Sequence, residues 1–218
     1  MLKAGKTPMF KSLALAVGLV ALSAGAASAN ITVVQGGVPG NPPQNVLMNS
    51  GLSGFTVVGT TNQSATAINF TGTESLTLPS NGQARVEAST GTFNALTISP
   101  VLAGLGFTAM EFNINAAATG NATVQFFDQF GTAFGGVFSL AGGGQNFFNA
   151  LASNGEVITR AVINSSVELQ DVRQVRVGDV VSFNVVPEPA TWAMMILGMG
   201  MVGMGLRLRR RSSDPLAV

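Results

Sequence analysis

Acid–base or ligand chemistry in this chain of 218 residues must come from ten side-chain carboxylates, because there is no His, no Cys and no Tyr. That absence removes a Ser/His/Asp triad, a thiol nucleophile, zinc thiolates, iron–sulfur clusters and imidazole metal sites. Eight of the ten acids lie between residues 30 and 186: Glu74, Glu87, Glu111, Asp128, Glu156, Glu168, Asp171 and Asp179. A carboxylate-based glycosidase needs two of them facing each other at about 5–10 Å, with at least one pKa displaced. Glu87 and Glu111 alternate with apolar neighbours, the pattern of a solvated strand face. Asp128, in Phe126-Phe127-Asp128-Gln129-Phe130-Gly131, is a calcium candidate. Ca²⁺ takes hard oxygen ligands, and Asn121, Asp171 or Asp179 with main-chain carbonyls would complete the set. No EF-hand spacing surrounds Asp128, and Asp ahead of a Gly is also an ordinary turn residue.

Sugar binding by a β-domain usually rests on exposed Trp or Tyr rings. Residues 30–186 contain neither, and their aromatics are all Phe. Phe is more often a core residue. The doublets Phe126-Phe127 and Phe147-Phe148 each put one ring on either side of a strand. Phe126 and Phe147 are expected inside, with Phe127 and Phe148 forming an outward apolar patch or covered by a loop.

The elements that must position these groups repeat with period two. Ala84, Val86 and Ala88 alternate with Arg85, Glu87 and Ser89; Met110, Phe112 and Ile114 alternate with Glu111 and Asn113. This is the signature of half-buried antiparallel strands. Turn signals arrive every 8–12 residues, with Asn81-Gly82 and Asn154-Gly155 the strongest hairpin signals because both residues accept positive φ. Residues 55–186 are therefore expected to form an all-β, antiparallel sandwich or jelly-roll-like domain. Its core is expected to include Phe70, Val86, Ile98, Phe112, Ile114, Phe126, Phe138, Val162, Val175 and Val177. Residues 30–54, rich in Pro, Gly and Asn, read as an irregular lead-in.

The charge is segregated. The formal total is +1, but residues 30–186 carry four Arg against eight acids, a net −4. Such a body is no nucleic-acid partner, which calls for a basic surface. The first 29 residues hold Lys3, Lys6 and Lys11, then the uncharged run SLALAVGLVALSAGAA, then Ala27-Ser28-Ala29. Basic start, short apolar helix and small residues at the −3 and −1 positions make a secretory signal peptide cleaved after Ala29. Its handlers would be the Sec translocon and signal peptidase.

Residues 187–218 form a second basic, apolar end. The order is Pro187-Glu188-Pro189, Trp192-Ala193, seventeen uncharged residues from Ala190 to Leu206, then Arg207, Arg209, Arg210 and Arg211. As a helix the uncharged run rises about 25 Å, the short end for crossing a bilayer. A single transmembrane helix is expected, with the Arg cluster as a cytoplasmic stop-transfer signal and Trp192 at the opposite interface. Pro187 and Pro189 fix φ and favour an extended tether. Gly198, Gly200 and Gly203 match the dinucleotide fingerprint in letters, but no strand precedes them and no acid follows at about 20 residues.

This tripartite tail resembles the PEP-CTERM sorting signal of Gram-negative bacteria, in the variant with Trp three after the second Pro and Ala next. The resemblance implies processing by exosortase, an integral-membrane transpeptidase-like enzyme, and a link to exopolysaccharide and biofilms. It implies a product transiently anchored in the inner membrane with its body outside the cytoplasm, then released to the cell surface. The expected function is a non-catalytic exported surface or matrix protein. The alternative is a carbohydrate- or calcium-binding β-sandwich, with a carboxylate glycosidase behind it.

Overall fold

The computed structural model describes residues 30–36, 40–80, 84–184 and 189–211. The signal-peptide positions Ala27 and Ala29, the Asn81-Gly82 turn and the motif residues Pro187 and Glu188 lie outside the described residues.

Thirteen strands and one helix occupy the described chain, and every pairing between named strands is antiparallel. The long strand β12 (Arg160–Val177) organises the rest. Its first half lies between β9 (Gly120–Phe127) and β6 (Phe93–Pro100). Its second half pairs with β8 (Ala109–Ala116) on one side. On the other side it pairs with β5 (Arg85–Ala88) and then β2 (Gln44–Leu47). Strands β3 (Ser53–Thr61) and β4 (Ala67–Thr77) close the circuit from β2 back to β6. Two wings extend from β12. One is β9 with β10 (Ala133–Leu140); the other is β8 with β11 (Asn146–Ser153) and β1 (Asn30–Gln35). The expected antiparallel β-sandwich is thus observed, its two layers sharing one strand.

The wings face each other through a chain of phenylalanines. Phe112 of β8 stacks on Phe126 of β9 at 5.7 Å and meets Phe148 of β11 at 5.8 Å, and Phe138 of β10 meets Phe148 edge-on at 5.3 Å. Phe112, Phe126 and Phe148 are fully buried. Offset and edge-on rings of this kind add to the area term that dominates any β core.

Several sequence expectations need correction. Residues 30–54 are not an irregular lead-in: they contain β1, β2 and the start of β3, strands short enough to hide their period. The second Phe doublet has the opposite sense to that expected. Phe148 is buried and Phe147 points outward, because β11 pairs Phe148 with Phe112 and takes its register from that core residue. Ile163 is buried and Val162 only half-buried, for the same reason of register on β12. Phe138 is partly covered rather than central. The Asn154-Gly155 turn does form, with φ of 58° and 82° and a hydrogen bond from Glu156 N to Ser153 O. It does not make a hairpin, since β11 pairs with β8 and β1 while β12 belongs beside β9. The turn carries the chain from one layer to the other. Strand β13 (Val180–Ser182) then pairs with β7 (Leu105–Phe107) as the body ends.

Replacing Phe112 with Ala removes the ring at the centre of this chain of contacts. Unfolding in urea should show a loss of about 3–5 kcal/mol, whereas Phe130→Ala, at an exposed site, should change stability by no more than about 0.5 kcal/mol.

Candidate functional site

The helix α1 (Pro189–Arg211) carries the second half of the tail motif. Pro189 is its first residue, a position where Pro loses no helical hydrogen bond and its fixed φ already suits the helix. Trp192 falls in the first turn and the four arginines in the last two. Met194, Met195, Ile196 and Leu197 are all exposed, and four consecutive residues cover the full circumference of a helix. From Ala193 to Gly203 the helix is apolar on every side and largely exposed.

The expected transmembrane helix is not shown. Among the described residues no helix is long and apolar enough to cross a membrane. The uncharged stretch rises about 25 Å against roughly 30 Å of hydrocarbon. Gly198, Gly200 and Gly203, with Thr191 and Trp192, dilute its hydropathy.

A family model described as "PEP-CTERM protein-sorting motif" matches residues 185–211. The chain carries a PEP-CTERM sorting motif. The match covers the tripartite tail. No curated protein matches the chain. Among solved structures, a family 29 carbohydrate binding module from Piromyces equi aligns at 11% identity with a TM-score of 0.31, covering 69% of this chain and 90% of the module. The enzymatically active domain of a bacteriophage CBA120 tailspike protein aligns at 16% identity with a TM-score of 0.23, covering 68% of this chain and 19% of that one.

The structure separates the ligands proposed around Asp128. Asn121 sits at the far end of β9, about 23 Å along the strand. Asp171 pairs with Glu87 across β12 and β5, and Asp179 follows β12 beside Thr108. Asp128 instead closes the turn after β9. It is 1% exposed, and its Oδ1 accepts hydrogen bonds from the main-chain N–H of Phe130 at 2.9 Å and Thr132 at 2.7 Å. The acid near it is Glu156. Among the described residues no group of three or more acids is placed to hold a metal ion.

The remaining acids are dispersed. Glu74 accepts from Thr73 at 2.6 Å on the surface, and Glu168 is exposed. Glu87 contacts Arg85 at 2.7 Å and Asp171 contacts Arg173 at 3.1 Å. These are partly exposed ion pairs, so they contribute little to stability.

Glu111 is different. Strand register places it in a polar row that crosses four strands on the face opposite the core. Asn149 of β11 lies opposite Glu111 of β8, Glu111 opposite Arg176 of β12, and Arg176 opposite Asn45 of β2. Directly opposed residues have Cβ atoms about 5 Å apart. The next row holds Phe147, Asn113 and Arg173. The row exists because β12 bulges. Its pairing with β8 shifts between Arg173 and Arg176, and Gln174 sits at φ 54°. The extra residue lets Arg173 and Arg176 both face outward while Val172, Val175 and Val177 all stay buried. Gln174 Oε1 accepts from Asn113 Nδ2 at 3.1 Å, and Arg176 Nε donates to Asn45 Oδ1 at 2.9 Å. The floor and walls so formed enclose a cleft of about 520 Å³ lined by Asn45, Leu47, Glu111, Phe147, Gln174 and Arg176 among others. Glu111 is the sole acid in that lining. The two carboxylates a glycosidase needs do not meet there.

Glu156 supplies a pH prediction. Burial first, and the negative charge of Asp128 second, hold its carboxyl above the usual carboxylate range, against a lowering hydrogen bond with Gln129. An acid whose native pKa is raised keeps its proton longer when folded. Stability from this group is therefore lost as pH rises from the unfolded pKa through the native one, and the loss is complete above the native pKa. Glu156→Gln should raise Tm at pH 8 and flatten the decline of Tm above the ordinary glutamate range. A lower Tm for Glu156→Gln at pH 8 would contradict this placement of the carboxyl.

Proposed function

We propose that this is a non-catalytic exported protein, processed at the inner membrane by an exosortase-type enzyme through its PEP-CTERM tail and then sorted to the cell surface. The observation that carries the reading is the sorting motif at residues 185–211. The fold agrees with cutting at both ends. Cleavage after Ala29 would leave Asn30 as the new N-terminus, and Asn30 is the first residue of β1, paired with Ser153. The sandwich would lose none of its strands. At the other end β13 and the hydrogen bond from Phe183 N to Gly104 O complete the body before the motif begins. Removal of everything from Pro187 onward would leave the core intact.

The uncovered helix supports a transient stay at the inner membrane. An all-round apolar surface of Met, Ile, Leu and Val has no stable place in water. A helix at the short end of spanning length, with glycines spaced for close packing, suits a segment that is inserted and handed to a membrane enzyme. The arginines at its end would stay cytoplasmic.

Mass spectrometry of the mature protein from a host that holds the sorting enzyme tests this directly. The expected product begins at Asn30 and lacks the helix α1. Deleting residues 187–218 should leave the body folded but unsorted, and Trp192→Ala should slow tail removal. A surface-located product that keeps Met1 or the whole tail would refute the route.

A further inference from the structure

We propose that the cleft between β2, β8, β11 and β12 is a binding site for a neutral, polyhydroxylated ring, a sugar unit of a glycan. The inference does not depend on the sorting route.

Glu111 is the starting point. It is 9% exposed and lines the cleft, yet it makes no hydrogen bond or ion pair with any described residue. Arg176, its cross-strand neighbour, is turned to Asn45 instead. Its oxygens open into the cleft rather than into the core, so a ligand seated there could satisfy them in place of water. Beneath the rim a second group is unsatisfied: Asn113, fully buried, uses its amide nitrogen on Gln174 while its Oδ1 has no partner. The backbone adds a third sign. Gln174 occupies the left-handed region at φ 54° without being Gly or Asn, a cost of order 1–3 kcal/mol that persists at functional positions.

The chemistry of the lining selects the ligand. A carboxylate only accepts, and a guanidinium only donates. They stand side by side, opposed across one rung of the sheet. A hydroxyl donates and accepts at once, so two neighbouring hydroxyls of a sugar satisfy both groups without carrying charge. The Nε of Arg176 is used by Asn45, which fixes the guanidinium and leaves its terminal N–H groups for the ligand. Phe147, outward beside Asn113 in the next row, offers an aromatic face. The C–H face of a pyranose suits that negative ring surface. An anion would be repelled by Glu111 and a metal ion by Arg176. A free amino acid could pair its two charges with Glu111 and Arg176, but would leave Phe147 and the Gln174 amide without a role.

The test is affinity electrophoresis of the full chain in detergent, in gels containing a mannan, a β-glucan or a dextran. Retardation is expected with at least one of the three. Glu111→Gln should weaken it by tenfold or more without lowering Tm, because no partner is lost with the charge. Phe147→Leu should weaken it as well, and checks the site without altering a buried polar group. Three results overturn the proposal: no retardation in any of the three gels, retardation unchanged in Glu111→Gln, or displacement of the bound glycan by L-glutamine at equal affinity.

Discussion

Strand β12 makes main-chain ladders with β9 and β6 in its first half, and with β8, β5 and β2 in its second. No other strand pairs with so many partners, and both layers take their register from it. Its eighteen residues span roughly 59 Å if straight, long enough to serve both layers only because it changes neighbours midway. The change falls around Leu169, where the β6 register shifts between Asn164 and Leu169 and the β8 register between Leu169 and Asp171. The Phe chain between the wings follows from this arrangement. β8 and β9 hang from opposite halves of the same strand, so Phe112 and Phe126 are brought face to face.

The same strand decides which side chains can act. A sheet has only two faces, and a one-residue slip exchanges them. Between Arg173 and Arg176 the sequence runs Arg-Gln-Val-Arg, which breaks strict alternation. Without a bulge, either Val175 and Val177 or Val172 would face water. Hydrophobic burial of three valines, at about 1.5–3 kcal/mol each, outweighs the strain at Gln174. The outward residue this releases is Arg176, beside Glu111. Core packing thus fixes the geometry of a polar site on the opposite face.

The sequence made parts of this visible for identifiable reasons. Period-two runs at 84–88 and 107–115 revealed strands, because alternation is written within one strand. The sorting tail was legible because its parts act in linear order. Register was not legible. The sense of the Phe147-Phe148 doublet depends on β11 lying against Phe112, and the polar row draws one residue from each of four strands that are far apart in sequence. Glu111 was read as an ordinary solvated acid because alternation shows a side, not what covers it. The signal that was present is the broken alternation around Gln174, which marks a bulge in a strand otherwise rich in valine. Asp128 also depends on what the chain does around it: Asp ahead of a Gly reads as an ordinary turn residue, and its Oδ1 accepts from the main chain of Phe130 and Thr132.

Charge is scarce in this body, so its placement carries information. A domain of net −4 with only four arginines has few ways to compensate a buried acid. Two arginines are engaged by acids on their own strands, Arg85 by Glu87 and Arg173 by Asp171. Arg160 lies over the ring of Phe127 at 3.9 Å, covering the one outward Phe of the first doublet. That leaves Arg176, which lies opposite Glu111 in the strand register and is held by Asn45. The result is a cleft whose acceptor and donor stay separate, and separation is the condition for a neutral hydroxylated guest to be bound by both.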